Sequence, residues 1–117
     1  MLLAVDTGNT HTVLGIFENN RLRADWRIAS RKGATSDEVG MLLLALFAES
    51  GIDPRSVDGM IVSSVVPDLN GVLTETGKRY FHITPLFVEP GVRTGMPILC
   101  ENPHEVGADR IVKDRMQ

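Results

Sequence analysis

The first thirty residues contain three apolar segments separated by polar turns. Leu2–Val5 is a run of four apolar residues, and Val13–Phe17 is a second apolar run after a polar interval. Over residues 21–28, apolar and charged side chains alternate, which is the pattern of a strand with one buried face and one solvated face. Glu18–Arg21 favours a turn between the second and third segments. The pattern predicts an antiparallel meander of three strands whose first tip is the polar segment Asp6–Thr12.

The next segment carries a helical pattern that begins at a capping box. Thr35 and Glu38 are spaced so that each side chain can accept a hydrogen bond from the other residue's backbone N–H. Apolar residues recur beyond it at helical spacing, at Val39, Leu42, Leu43, Leu46 and Phe47. Because the remaining positions are nearly as apolar, we expect a helix that is covered on most sides, with Gly51 as its C-terminal cap.

The rest of the chain alternates strand and helix patterns. Gly59–Pro67 contains a continuous apolar run rich in β-branched residues, which predicts a central strand buried on both faces and ended by its proline. Residues 68–80 place apolar side chains along one helical face. Pro85–Val88 predicts another short strand, and further helical patterns begin at Asn102 and cover Ala108–Arg115.

This order of elements predicts an α/β domain of the ribonuclease H-like type. Three antiparallel strands lead into helix, strand, helix and strand, which is the pattern of a hairpin-led sheet that continues into right-handed βαβ crossovers. We therefore expect a mixed sheet that opens with an antiparallel three-strand meander and is flanked by helices. At 117 residues, the chain is expected to form one domain.

Composition and charge argue against several classes of function. The net charge of −3 is accompanied by scattered basic residues, which gives no electrostatic footprint for nucleic-acid binding. The chain has neither the apolar run of about 18 residues that a membrane span needs nor the start of a signal peptide, so we expect a soluble cytoplasmic protein. The single cysteine, Cys100, cannot form an internal disulfide and has no metal-ligand companions at fixed spacing, which disfavours zinc and redox chemistry.

The polar tip has the composition of a phosphate-binding loop. Gly8 allows the backbone to turn and to approach a ligand closely, so that free N–H groups can point at an anion. Asp6 supplies the hard oxygen that Mg²⁺ prefers. The other polar side chains of the tip are Thr7, Asn9, Thr10, His11 and Thr12. An ordinary hairpin turn that faces water explains the same residues equally well, since Asn and Gly favour turns.

A second candidate site is the segment Gly107–Arg110. Asp109 could take a proton from a substrate hydroxyl, and the fixed cation of Arg110 could hold an anionic group; a surface ion pair is the alternative. Ligands of α/β sheets bind beyond the strand ends, so this segment and the tip are expected to converge. Phosphoryl transfer suits these groups because its transition state needs positioning and charge neutralisation. The chain lacks a Walker P-loop and the dinucleotide-binding glycine motif.

Six short motifs follow one another along the chain, at Asp6–Thr10, Trp26–Ile28, Thr35–Glu38, Ser63–Pro67, Pro90–Gly95 and Asn102–Arg110. In their order and spacing they resemble those of the type III pantothenate kinases. Each motif is weak alone, but together they extend to about Val112, and the chain resembles this family over that length. The family belongs to the superfamily of sugar and acetate kinases, actin and heat-shock chaperone ATPases, which is built from two ribonuclease H-like halves with ATP between them.

The resemblance implies ATP-dependent phosphorylation of pantothenate, the first step of coenzyme A biosynthesis. It implies that Asp6–Val13 is the ATP phosphate loop and that Asp6, near the metal, and Asp109, the proton acceptor, are the catalytic residues. The residues implied to line the pantothenate pocket are Gly107, Ala108, Asp109, Arg110 and the residue at position 100, here Cys100. Mg²⁺, a monovalent cation (K⁺ or NH₄⁺) and a homodimer are further implications of the resemblance.

The chain departs from the family pattern in two respects. Cys100 stands where family members commonly have a tyrosine that faces pantothenate, so the packing around the substrate is expected to be looser. The family continues past Asp109 into a second half-domain with adenosine-binding and cation-binding residues. We therefore interpret residues 1–112 as the N-terminal half-domain and residues 113–117 as an atypical tail. The isolated chain is expected to be a poor or inactive kinase, since contacts that orient the nucleotide are missing.

Two other functions remain open at the level of the sequence. One is a non-catalytic accessory or dimerisation module related to the kinases. The other is a different ATPase or phosphotransferase of the same superfamily, because the Asp6 loop is shared whereas Gly107–Arg110 is more particular to the family.

Overall fold

The computed structural model describes residues 1–89, which form a five-stranded sheet and two α-helices. The strands are β1 (Leu2–Thr7), β2 (His11–Glu18), β3 (Arg21–Ala29), β4 (Gly59–Ser64) and β5 (Leu86–Val88), and the helices are α1 (Ser36–Glu49) and α2 (Pro67–Tyr80). A short 3₁₀ helix, Pro54–Ser56, precedes β4. The expected order of elements is confirmed through β5, and the helical patterns after residue 101 lie outside the described residues.

The sheet has the mixed topology that the sequence predicts. Its strand order is β3-β2-β1-β4-β5, in which β1, β2 and β3 pair antiparallel and β1, β4 and β5 pair parallel. The predicted turn between β2 and β3 is built on Asn19 and Asn20, whose φ angles of 52° and 64° are those of a tight two-residue hairpin. In this strand order, β1 occupies the centre of the sheet, with β2 as its antiparallel neighbour and β4 as its parallel neighbour.

One face of the sheet packs against both helices and forms the main core. Its fully buried strand residues include Leu3, Val5, Leu14, Ile16 and Val62. Aromatic packing joins α1 to β3 and to the residue after α2, since the ring centroid of Phe47 lies 5.5 Å from that of Trp26 and 5.5 Å from that of Phe81. Because side chains alternate along a strand, β1 turns Ala4 and Asp6 toward the opposite face.

A β-bulge alters the predicted pattern of β3. Ile16 of β2 opposes Ala24, but its neighbour Phe17 opposes Leu22, which leaves Arg23 as the extra residue. After the bulge, the apolar residues of β3 are half-buried against the core, as the alternation predicts; they are Ala24, Trp26 and Ile28. Leu22 pairs instead with a residue of the other face and is 40% exposed.

Helix α1 begins and ends as expected but is less covered than expected. The Thr35 hydroxyl accepts a hydrogen bond from the Glu38 N–H at 3.2 Å, and the Glu38 carboxylate accepts one from the Thr35 N–H at 3.0 Å. Gly51 follows the helix at a φ of 71°. The expectation of burial on most sides is wrong for the described structure, because only one stripe of α1 meets the sheet and α2, and Met41 and Leu42 are 60% and 41% exposed.

The two helices meet at Gly40, where the side chain of Tyr80 crosses α1. A Cβ atom at position 40 would lie 2.4 Å from the Tyr80 ring, so only glycine allows this approach. The Tyr80 hydroxyl donates to the Asp37 carboxylate at 2.7 Å, which raises the pKa of the phenol. This contact joins the end of α2 to the start of α1.

We expect Gly40→Ala to lower the free energy of unfolding by about 1–3 kcal/mol, because the Tyr80 ring must move aside. The matched control is Gly71→Ala, the same exchange at an exposed position of α2 where an added Cβ meets nothing within 4 Å. The control should raise the free energy of unfolding by about 0.5–1 kcal/mol through helix propensity alone. Urea denaturation of both variants checks this, and an equal shift in the two would contradict the packing described at Gly40.

The capping box predicts part of the acid sensitivity of the chain. The hydrogen bond from the Thr35 N–H, followed by that from its hydroxyl, holds the pKa of Glu38 below its usual value of 4.5. A lowered pKa in the folded state stabilises the fold above the unfolded pKa, and that stabilisation disappears as the pH falls through the folded pKa. The melting temperature should therefore decrease once the pH drops under about 4.5.

Glu38→Gln should make this acid decline shallower, because an amide keeps an acceptor for the capping box but has no carboxylate to protonate. The pKa of Asp53 is also lowered, mainly by the hydrogen bond from the Arg55 backbone N–H. Protonation of Asp53 should therefore account for part of the remaining decline in melting temperature. Melting curves from pH 3 to 7 test this, and a decline in Glu38→Gln as steep as that of the parent would contradict it.

Candidate phosphate-binding site

The tip between β1 and β2 lies at the carboxyl edge of the parallel strands. Thr7 ends β1 directly beside Ser64, which ends β4. The tip closes through a hydrogen bond from the Gly8 N–H to the carbonyl oxygen of His11 at 2.9 Å. A Cβ atom at Gly8 would lie 3.3 Å from that same oxygen, so the turn is tight at this glycine. Ligands of α/β sheets bind at this edge, and the tip is thus located where a phosphate loop belongs.

Neighbouring segments hold the tip on both sides. On the β4 side, the Val65 N–H donates to the carbonyl oxygen of Thr7 at 3.1 Å. On the β3 side, the Ser30 N–H donates to the carbonyl oxygen of Thr10 at 2.9 Å. The exposed residues Asn9, Thr10 and His11 are therefore carried on a backbone that is fixed at its base.

The carboxylate of Asp6 lies on the sheet face opposite the helices. Its cross-strand neighbours are Val13 on β2 and Ser63 on β4, and paired residues project from the same face. Asp6 is half-buried, whereas Ser63 is only 5% exposed. The parallel pairing of β1 with β4 thus places a serine hydroxyl on the same face as the candidate metal ligand.

Ser63 was not among the site residues suggested by the sequence, where it is one position in a buried strand. A signal was present, because β1 and β4 each end in a short polar segment after an apolar run. Using that signal requires knowing that the two strands pair parallel and in which register.

The helix side of the tip contains a cavity of about 90 Å³. Thr7 and Thr12, which are 1% and 5% exposed, line its polar end together with Ser30, and the charged Arg31 and Glu38 also line it. The remaining lining is apolar and comes from β2, β3, α1, α2 and Ala34 in the loop before α1. Since small-molecule pockets usually measure about 300–1,000 Å³, this cavity is too small for a nucleotide.

The eight residues of the predicted phosphate loop are therefore divided between two faces. Asp6 and Val13 face away from the helices, while Thr7 and Thr12 face the cavity. Only the residues between them, at the turn itself, project beyond the sheet edge. The candidate groups for a phosphate are therefore backbone N–H groups of this turn other than that of Gly8, which is bonded to His11, rather than the buried threonine hydroxyls.

Within residues 1–89, no three His, Cys, Asp or Glu side chains are grouped closely enough to hold a metal ion. This arrangement differs from a dedicated metal centre. Mg²⁺ commonly keeps several water ligands and binds through one or two carboxylates together with substrate phosphates, and the Asp6 carboxylate suits that mode.

None of the helices in the described part of the chain is long and apolar enough to cross a membrane.

The second group of predicted site residues lies outside the described residues. It comprises Cys100, Gly107, Ala108, Asp109 and Arg110. Their convergence with the tip consequently stays a prediction.

Comparison with known proteins gives a consistent family. The sequence profile of the type III pantothenate kinases matches residues 2–114. Over 112 residues, the chain is 56% identical to a type III pantothenate kinase of Myxococcus xanthus and 54% identical to one of Pelobacter propionicus. Each match covers 96% of this chain but only 44% of the relative, so the chain spans less than half the length of these curated relatives.

A solved structure shares the fold at low sequence identity. The ROK hexokinase from Thermus thermophilus superposes with a TM-score of 0.58 and 13% identity, over 80% of this chain and 36% of the hexokinase. This likeness confirms the ribonuclease H-like fold that the order of strands and helices predicts.

Proposed function

Because the chain belongs to the type III pantothenate kinase family, we propose that it supplies the phosphate-binding part of an enzyme that phosphorylates pantothenate with ATP. The observation that carries this proposal is the family match over residues 2–114. The position of the tip supports it, since a glycine turn beside a carboxylate stands at the ligand-binding edge of the sheet. Residues 1–112 are proposed to be one half-domain of a two-part cleft.

ATP is proposed to bind through Asp6–Val13. The turn amides that follow Gly8 would meet the phosphates, since the Gly8 N–H itself closes the turn, and Asp6 would hold Mg²⁺ that arrives with the nucleotide. The ion would neutralise charge on the transferring phosphoryl group when bound. The monovalent cation, K⁺ or NH₄⁺, is given no ligand among residues 1–89. The family resemblance associates its binding with a second half-domain.

The acceptor side of the reaction is proposed to use Asp109. Its carboxylate would take the proton of the primary hydroxyl of pantothenate as the hydroxyl oxygen attacks the γ-phosphorus. The bond between that phosphorus and the β,γ-bridging oxygen would break, and ADP would leave. Gly107, Ala108, Arg110 and Cys100 are proposed to surround pantothenate, and Arg110 can hold an anionic group of the substrate.

A homodimer and a cytoplasmic location are further parts of the proposal, supported by the family resemblance. A non-catalytic accessory or dimerisation module related to the kinases is the alternative. A general base distinguishes the two, because an accessory module does not depend on one.

The test replaces the matching N-terminal segment of the Myxococcus xanthus relative with residues 1–112 of this chain. We expect the chimera to form phosphopantothenate in the presence of ATP, Mg²⁺, K⁺ and pantothenate. Asp109→Asn in the chimera should lower kcat by about 10²–10⁴-fold, the usual contribution of a general base, with little change in the KM for ATP. Coupled measurement of ADP release against pantothenate concentration gives both constants.

The matched control is Asp25→Asn, which removes an exposed carboxylate in the middle of β3, and it should leave kcat near that of the unsubstituted chimera. A folded chimera without activity would favour the accessory role. Equal rates in Asp109→Asn and the unsubstituted chimera would show that Asp109 is not the base.

A further inference from the structure

We propose that Ser30 is a positioning residue for the phosphate tip and acts through a chain of three hydroxyl groups behind it. These groups belong to Ser30, Thr12 and Thr7 and are called the hydroxyl ladder below. The proposal rests on the proposed function, because it assumes that the tip binds phosphate. Ser30 itself lies just beyond β3 and outside the predicted phosphate loop.

The hydroxyl ladder connects the end of β3 to both strands of the tip. The Oγ of Ser30 lies 2.8 Å from the Oγ1 of Thr12, and Thr12 Oγ1 donates to Thr7 Oγ1 over a longer distance of 3.5 Å. Either hydroxyl can donate in the short Ser30–Thr12 bond, and in both cases the Ser30 side chain is the near partner of Thr12. One side chain thus fixes the hydroxyl that bridges β1 and β2.

Ser30 also binds the tip through its backbone. Its N–H donates to the carbonyl oxygen of Thr10 at 2.9 Å, two residues before the ladder contact at Thr12. The residue between these two attachment points is His11, whose carbonyl oxygen accepts the Gly8 N–H. Displacement of Ser30 therefore changes the orientation of the whole turn that presents its amides to a phosphate.

The ladder lies on the side of the tip away from Asp6. Thr7 and Thr12 line the cavity on the helix side, and Asp6 projects from the opposite face. Ser30 accordingly acts on the tip from behind, through residues of the tip itself. This geometry separates the positioning hydroxyls, on the cavity side, from the groups proposed to contact the ligand, which are the turn amides at the sheet edge and Asp6 on the opposite face.

Burial makes the Ser30 hydroxyl matter to its neighbours. Thr12 is 5% exposed and Thr7 is 1% exposed, so neither hydroxyl can readily replace a lost partner with bulk water. Ser30 also lines the cavity, which leaves space for one added methyl group. Ser30→Thr can for this reason keep the hydrogen bond, whereas Ser30→Ala cannot.

The test measures amide hydrogen exchange by NMR in the 117-residue chain. In Ser30→Ala, the N–H groups of Gly8 and Ser30 should exchange about tenfold faster, the factor expected for losing one net hydrogen bond. Ser30→Thr should restore slow exchange. The matched control is Thr74→Ala, which removes a hydroxyl bonded to the carbonyl oxygen of Asn70 at 2.9 Å on α2 and should leave the tip unchanged.

A second measurement links the ladder to phosphate binding. Titration with MgATP should shift the tip amides of the parent chain, and the apparent Kd should rise about tenfold in Ser30→Ala, in step with the exchange rates. Unchanged exchange in Ser30→Ala, an equal effect of Thr74→Ala, or failure of Ser30→Thr to restore the parent behaviour would overturn the proposal. If exchange quickens as expected but the parent tip does not respond to MgATP, the proposed function fails while the effect of the ladder on the tip stands.

Discussion

The parallel pairing of β1 with β4 is the interaction on which the rest of the structure depends. It joins the antiparallel meander to the βαβ half of the sheet and places β1 at the centre. It also brings Thr7 and Ser64 to one edge, so that the hairpin tip and the connection into α2 begin side by side. Apolar residues of β1 are buried on both faces of the sheet, and this burial fixes the register that aligns Asp6 with Ser63.

The alternation of side chains along β1 gives the tip two different environments. Asp6 belongs to the face opposite the helices, and Thr7, one residue later, belongs to the face that packs toward the helices. The single strand β1 thus supplies both Thr7, which attaches the turn on the helix side, and the Asp6 carboxylate on the opposite side. This division agrees with phosphoryl transfer, where positioning and charge neutralisation contribute more than covalent chemistry from the protein.

Local signals in the sequence predicted the elements, and tertiary pairing determined what they could not. The capping box at Thr35, the glycine after α1 and the asparagine turn depend on neighbouring residues, and each is present as expected. The exposure of Leu22 and the site positions of Ser63 and Ser30 depend on which strands pair and in what register, and residue order does not reveal this. The resemblance to a kinase family indicated Asp6–Val13 as a unit, but only the sheet shows that Asp6 and Val13 share one face while Thr7 and Thr12 lie on the other.

Paramagnetic broadening by ATP loaded with Mn²⁺ tests the central claim, that the β1–β2 tip at the carboxyl edge holds the nucleotide phosphates beside Asp6. In NMR spectra of the chain, the amides of residues 7–11 and of Ser63–Val65 should broaden first. The turn at Glu18–Arg21, at the other end of β2, should keep its intensity. Broadening that is centred on Glu18–Arg21, or spread evenly over the sheet, would contradict the account.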